Sequence, residues 1–388
     1  MFIPQPTAEG LSQMPVSSSP QKAPLWQSNR YRSRQVERLV RAVCLLFAAV
    51  SIVTTLGIVL TLIFETLDFF LDPFFRQSLW LEQLPERLPN ATAGQLQAVS
   101  DQIEKADPDD LFGQAEALGV GLPSRLAGFF HAIRRFFTDT RWTPLFSNDT
   151  DFGIFVLISA TLMTTTLAML VAVPLGLLIA IFLSEYADPR LRQVLKPVLE
   201  LLAGVPSVVF GYFALLTVTP LLQRLIPSVQ GFNALSAGVV LGVSIIPLVA
   251  SLSEDAISAV PQDLRQGAFA MGATKREAIQ AVVIPAALSG IVASVILAVS
   301  RAIGETMIVT LAAGQNPQAI DSSLGFINPF IPVMTMTAFI VQVSLGDAPF
   351  GTLAYKTIFA VGTTLFLITL ALNVASYWFV RRFREKYD

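Results

Sequence analysis

The sequence predicts an all-α integral membrane protein with six transmembrane helices and an extracytoplasmic insertion between the first and the second. Three observations predict it. Of the 388 residues, 53% are hydrophobic and only 14% are charged, and the mean hydropathy is +0.61, too apolar for a water-soluble chain of this length. Uncharged runs recur that reach the roughly 20 residues a helix needs to cross the hydrocarbon core. Between them, arginines and lysines gather in alternate short connections, as the positive-inside rule requires.

The same composition excludes several functions. A formal net charge of −2, with no dense basic run carrying interleaved aromatics, gives no nucleic-acid footprint. Cys44 is the only cysteine, so no internal disulfide or thiolate metal site is possible. His131 is the only histidine, which removes histidine-based zinc sites and catalytic triads and leaves it a packing or surface role.

Residues 1–29 are rich in Pro, Ser and Gln and read as a disordered cytoplasmic tail, without the short apolar core of a signal peptide. Arg30, Arg32, Arg34, Arg38 and Arg41 then hold this end in the cytoplasm. The 23 uncharged residues from Ala42 to Phe64 span about 35 Å as a helix, so residues 30–64 form the first span with its basic flank. Residues 65–151 carry 14 acidic and 7 basic side chains and short helical patterns such as Leu96–Ala106. This segment reads as an extracytoplasmic domain whose carboxylates make a solvated surface.

Residues 152–380 read as a five-helix core. Phe152–Ser184 is free of charge over 33 residues and forms one helix with a kink at Pro174. Its threonines, Thr161, Thr164, Thr165 and Thr166, bond back to the helix backbone rather than line a pore. Glu185–Glu200, with Arg190, Arg192 and Lys196, is cytoplasmic. Leu201–Gln223 is the third span, broken or bent by Gly204, Pro206 and Gly211; irregular backbone at membrane depth is tolerated only where protein or a wet cavity satisfies it. Phe232–Leu252 is the fourth span, Ala281–Gly314 the fifth and Thr357–Val380 the sixth. Asp321–Phe350 lies outside, interrupted by Pro329, Pro332 and Pro349 and partly re-entrant. Residues 381–388, beginning R-R-F-R-E-K, place the other end in the cytoplasm as well.

The stretch 254–285 is the longest polar interruption in this core, and Arg265, Lys275 and Arg276 put it in the cytoplasm. Helical spacing before Gly272 (Leu264, Ala268, Met271) and after it (Ala278, Ile279, Val282) gives helix, turn, helix, with glycine where a left-handed residue is needed. The stretch resembles the EAA loop of the membrane subunits of ABC importers. Gln266, Gly267 and Ala268 fill the E-A-A slots, followed by Gly272, Val282 and Ile284-Pro285; Gln266 and Gly267 depart from the pattern. The resemblance implies a type I importer (MetI-like) permease fold and a loop, with Ala273 and Thr274 at its centre and Pro285 at its end, that docks on an ATPase subunit.

One other constellation carries chemistry. Arg301 and Glu305 are the only charges between Glu277 and Asp321, within A-V-S-R-A-I-G-E-T-M. Four residues apart, they share a helical face, and Arg301 lies about 24 Å along the axis from Pro285, beyond mid-membrane toward the outside. An ionisable group in a span faces a partner or a wet cavity. Two readings stand. The pair braces neighbouring helices, or Arg301 meets a translocated anion, its fork of donors suiting phosphate geometry, while Glu305 tunes or gates it.

The segments R-A-I-G-E-T-M-I-V, L-A-G-V-P-S-V-V-F-G, S-L-S-E-D-A-I-S-A-V-P and T-L-A-Y-K-T-I-F-A-V-G, spread over roughly 140–388, together resemble the PstC-type permease subunits of phosphate ABC importers. The resemblance implies an inner-membrane subunit that passes phosphate from a periplasmic phosphate-binding protein (PstS type) to the cytoplasm. It implies pairing with a second, PstA-type permease and driving by a PstB-type ATPase dimer that holds the ATP-Mg. The chain has no G-x-x-x-x-G-K-S/T loop and no Gly-Lys dipeptide, so it binds no nucleotide of that kind itself. The alternatives are a permease for another oxyanion, such as molybdate, sulfate or phosphonate, and an ATP-independent anion channel or carrier.

Overall fold

The computed structural model describes residues 30–87, 94, 123–145, 151–317 and 328–383. The tail expected over 1–29, the helical pattern at 96–106 and residues 384–388 lie outside the described residues. The chain divides into two units, residues 1–60 and 61–388. Helix α1 (Arg30–Phe70) runs across the division. Its part in the first unit exposes Leu45, Phe47, Val53 and Leu56, as a helix facing lipid would.

In the second unit α1 is followed by α2 (Pro73–Arg87) and α3 (Arg125–Thr138). Next come α4 (Ile154–Ile181), α5 (Pro189–Ala203), α6 (Ser207–Phe213), α7 (Thr219–Leu225) and α8 (Ala234–Ser258). A polar hairpin of α9 (Gln262–Ala270) and α10 (Lys275–Ala278) leads into α11 (Ile284–Ile303), α12 (Met307–Ala312), α13 (Met336–Gln342) and α14 (Leu353–Phe383). Among the described residues, six helical stretches are long and apolar enough to cross a membrane: Glu37–Gln83, Ile154–Tyr186, Ser207–Leu225, Ala234–Ser258, Lys275–Ile303 and Leu353–Phe379. The all-α, six-helix membrane architecture is therefore the one the hydropathy pattern predicts.

The centre of the bundle is the α4–α8 pair, which runs parallel: Gly238 faces Leu167, while further along Gly176 faces Val249. The approach is close. A Cβ on Gly238 would stand 2.5 Å from the Leu167 Cβ, and one on Gly242 would stand 2.6 Å from the Ala168 carbonyl oxygen. Gly238-x-x-x-Gly242 is thus a small-residue seam of the kind that lets membrane helices pack where lipid offers no hydrophobic driving force. Ala160, Ala168, Ala172, Leu241, Ile245 and Val249 fill the interior beside it. Three of the α4 threonines bond to the preceding turn, Thr161 to Leu157, Thr164 to Ala160 and Thr166 to Leu162, as their position in a helix predicts.

Two spans differ from their uninterrupted outlines. The third is preceded by α5, which stops at Ala203 and resumes as α6 at Ser207 across Gly204-Val205-Pro206. The α5 helix nevertheless runs beside the C-terminal half of α8, with Lys196 bonded to Glu254. Gly211 does not break α6; it is the site of close approach to Leu311. The fifth stretch is cut after Ile303, so residues 304–306 are non-helical and α12 is a separate element. Part of 321–350 enters the bundle: Met336, Thr337, Ala338 and Phe339 are buried on α13, whereas 321–327 lie outside the described residues.

At the N-terminal end of α4 an aromatic core gathers Phe69, Phe75, Phe136, Trp142, Phe152 and Phe339. Edge-to-face ring pairs dominate it, such as Trp142–Phe339 at 4.9 Å and Phe69–Phe75 at 5.3 Å, an arrangement that adds about 0.5–1.5 kcal/mol per pair beyond burial. Lys356 at the start of α14 bonds Asp68 and Asp72 at 2.8 and 3.0 Å. Parts of 65–151 are therefore built into the bundle, and two carboxylates there, Asp139 and Asp151, both grip Arg135 at 3.1 Å.

His131 is buried on the inner face of α3, 3.6 Å from Glu82. Burial holds its imidazole below the usual 6.5; Glu82 opposes the shift and Arg135 and Arg134 reinforce it, but burial is the largest cause. A depressed base is proton-poor in the folded state, so its stabilising contribution is intact above the unfolded value near 6.5 and declines as pH falls through that value toward the folded one. Thermal unfolding in detergent from pH 8 to pH 5 will show an acid-side loss of stability that His131→Gln flattens.

Candidate functional site

The polar hairpin is built by local rules. α9 ends in a left-handed residue, Gly272 at φ +85°, with Gly272 N–H donating to the Phe269 carbonyl at 3.0 Å and Ala273 N–H to the Ala268 carbonyl at 3.1 Å. That pattern is a Schellman stop, and it needs glycine because any Cβ strains the turn. α10 then starts with a capping box: the Thr274 hydroxyl accepts from Glu277 N–H at 3.4 Å and the Glu277 carboxylate accepts from Thr274 N–H at 2.8 Å. Two adjacent terminators give the hairpin a fixed angle.

Its outward face is bare. Gln266, Gly267, Ala270 and Gly272 are exposed, Ala268 and Ala273 half-buried. Met271 is 89% exposed and Phe269 48%, so the apex presents a thioether and an aromatic ring. No atom of the chain comes within 4 Å of a Cβ placed on Gly267; within this chain nothing demands glycine there. Pro285 sits exposed in the first turn of α11.

The inward face is held by one side chain, Arg265, the only buried residue of α9. Its Nε and one terminal nitrogen donate to the Glu185 carboxylate at 3.2 and 3.0 Å. It also donates to the Ile257 carbonyl at 2.9 Å and to the Val260 carbonyl. One guanidinium therefore closes the C-terminal end of α8, pairs with the end of α4 and orients α9, a task that a fork of five donors performs and an ammonium does not. Lys275 adds a cation–π contact over Tyr186, 4.7 Å from the ring centroid. A cleft of about 470 Å³ lies behind the hairpin, lined by Glu185, Arg192, Arg265 and Phe269 among others. Composition suggested Arg265 only as a topology marker; the carbonyls it caps are not legible before α8 is placed.

Arg301 and Glu305 separate in the structure. Helix α11 ends at Ile303, with Gly304 as its cap, so the four-residue spacing no longer puts them on one face, and among the described residues no ion pair joins them. The bracing-pair reading fails for that reason. The Arg301 side chain opens into a cavity of about 180 Å³ that it shares with Lys196, Glu200, Ala203, Ser244, Pro247, Ser251 and Glu254. These are residues of α5 and of the C-terminal part of α8, so the guanidinium lies nearer the hairpin than counting along the axis implied. Helical side chains lean toward their N-terminus, here toward the hairpin.

Glu254 was missed by the sequence reading. It is fully buried and paired to Arg192 and to Lys196, the latter at 2.8 Å; Lys196 also reaches Asp255 at 3.4 Å. In the sequence Arg192 and Lys196 read as loop charges, and Glu254 as the edge of a loop. Only the antiparallel run of α5 along α8 joins them. Across the cavity, Arg301 has no ion-pair partner among the described residues.

The site thus has an exposed, doubly terminated hairpin at one end of the bundle and an arginine without an ion-pair partner among the described residues beside two helix breaks, at 204–206 and 304–306. That combination fits a multi-pass membrane transport subunit. The chain belongs to the family described as binding-protein-dependent transport system inner membrane component, whose model matches residues 172–387. It is 35% identical over 287 residues to the phosphate transport system permease protein PstC of Mesorhizobium japonicum, covering 68% of this chain and 84% of that one. It is 35% identical over 253 residues to the probable ABC transporter permease protein YqgH of Bacillus subtilis, covering 65% and 79%. The PstC of Haemophilus influenzae is 31% identical over 291 residues, covering 69% and 89%.

Arg265→Ala leaves Glu185 and two helix-end carbonyls without their donor, and breaking a buried pair in this way costs about 3–5 kcal/mol. The variant will unfold at lower temperature in detergent and be cleaved within 259–283 by protease faster than the parent. Arg265→Lys will restore only part of the loss.

Proposed function

We propose that this chain is the membrane-spanning permease subunit of an ATP-driven importer of inorganic phosphate. It pairs in the inner membrane with a second, PstA-type permease, takes phosphate from a periplasmic PstS-type binding protein and is driven by a PstB-type ATPase dimer holding ATP-Mg. The hairpin and both chain ends face the cytoplasm. Family membership and the phosphate-transport names of the relatives support this reading, and one observation in the fold carries it: the exposed Arg301 side chain, unpaired among the described residues, opens into a cavity between α5, α8 and the end of α11, beside two interrupted helices. Interrupted helices are the usual builders of membrane ion sites, because their freed backbone groups face a cavity rather than lipid.

In the transport cycle the hairpin transmits force. ATP binding closes the ATPase dimer, moves the hairpins of the two permeases together and shifts the population between outward- and inward-open bundles. Arg301 supplies the fixed positive charge that lowers the cost of an anion at mid-membrane. The carboxylates that line the same cavity are Glu200 and Glu254, the latter already held by Arg192 and Lys196, and Glu305 keeps the tuning or gating role read from the sequence. Glu305 retains a place at the break, where its backbone carbonyl accepts from Thr337 at 2.8 Å. Permeases for molybdate, sulfate or phosphonate have the same requirements, so competition by those anions in the uptake assay separates the readings. An ATP-independent carrier has no use for the exposed apex at Met271.

Two outcomes test the proposal in vesicles holding the four-component complex. Arg301→Ala will abolish labelled phosphate uptake while the protein reaches the membrane and the ATPase subunits still co-purify; uptake at the parental rate overturns Arg301's role. Met271→Glu on the exposed apex will reduce co-purification of the ATPase subunits and uptake together, leaving thermal stability unchanged; normal association overturns the docking role of the hairpin.

A further inference from the structure

A second feature of the fold serves neither the hairpin nor the Arg301 cavity. Helix α3 has a buried face of Gly128, His131, Ala132 and Phe136. The opposite face should be polar if it met water. Instead Leu126, Phe129, Phe130, Ile133 and Phe137 fall within an arc of about 100° when placed at 3.6 residues per turn. Leu126 is 68% exposed, Phe130 65% and Phe137 45%, with Phe129 and Ile133 half-buried. Exposed Arg125 and Arg134 flank the stripe.

The position of α3 decides what covers this face. Its inner side is fused to the aromatic core at the N-terminal end of α4, through Phe136 against Trp142 and Phe69. Phe129 meets Phe70 in the last turn of α1. On the outer side Phe137 touches Phe155, at 6.2 Å between centroids. Phe155 begins the exposed apolar surface of α4, which continues with Leu162 on the same face and winds on through Leu170 and Leu178. The apolar strip on α3 is therefore continuous with the exposed wall of a membrane-crossing helix and lies level with its first turn.

We infer that α3 is an interfacial helix. It lies in the plane of the bilayer surface at the end of the bundle opposite the hairpin, with Leu126, Phe130 and Phe137 among the acyl chains and Arg125 and Arg134 at the headgroup phosphates. Aromatic residues on one face and arginines at its edges are what such helices carry, and an apolar strip of this kind on a water-facing surface would be an association liability. Part of the segment between the first and second spans is, on this reading, a membrane-bound collar rather than a water-exposed domain. It braces the start of α4, and through the α4–α8 seam the centre of the bundle.

Cys44 is the only native cysteine, so site-directed spin labelling needs one background change, Cys44→Ser. Nitroxides at Phe130→Cys, Phe155→Cys and Thr138→Cys, an exposed position off the stripe, are compared in the full complex in phosphatidylglycerol/phosphatidylethanolamine vesicles without the extracytoplasmic binding protein. The label at 130 will collide with oxygen in preference to a water-soluble nickel chelate, as at 155, while the label at 138 will favour the chelate. Chelate preference at 130 means a water-facing helix and overturns the inference. Protection at 130 from both reagents means a protein partner covers the stripe and overturns it equally. Phe155→Cys behaving as lipid-exposed shows in each case that the bundle itself is inserted.

Discussion

The hairpin hangs on one guanidinium. Arg265 is buried at a place where α8 ends, α4 ends and α9 begins, and each of those ends leaves backbone carbonyls or a carboxylate without a partner. Burial of a charge is tolerated there because four of its five N–H donors find acceptors, two of them on one carboxylate. The consequence is mechanical: a displacement of α9 is transmitted to two spans through bonds only a few atoms long. The Schellman turn and capping box beyond Arg265 make the apex rigid in the same sense. A hairpin that must report the state of a partner to a membrane bundle needs both, a stiff tip and a stiff root.

The bundle interior follows a different rule. Between α4 and α8 the chain removes side chains rather than adding them, and Gly238, Gly242 and Gly176 bring backbones within contact of neighbouring Cβ atoms. In lipid this is how helices gain dispersion contacts without a solvent-driven collapse. The result is a narrow, dense axis around which the interrupted elements, α5–α6 and α11–α12, are arranged. Irregular backbone at membrane depth needs protein or a wet cavity beside it, and residues close to the two breaks, Ala203 and Arg301, line one cavity.

Much of this was legible in the sequence. Six spans follow from uncharged length, the hairpin from Gly272 between two helical periods, and the break near 204–206 from Gly204 and Pro206, because these signals are local. What was not legible depends on pairing across the chain. Arg301 and Glu305 look like a helical pair until Gly304 ends the helix between them. Lys196 and Glu254 look like loop charges until α5 is laid against α8. Phe75 of α2 and Phe136 of α3 belong to the aromatic core at the end of α4 although acidic composition around them reads as solvated. The seam glycines carry no signature beyond their four-residue spacing, which is common in membrane sequences.

Helix α5 has no buried residue at all. Its polar anchor is one fully buried carboxylate, Glu254, which both Arg192 and Lys196 reach, while Leu195, Leu199 and Leu202 are only half-buried. A rod secured by two flexible tethers to a single post can rock through the slack of its tethers without withdrawing any fully buried side chain of its own. The wall of the arginine chamber thus yields more readily than the glycine seam at the centre, through a stroke limited by the reach of two side chains.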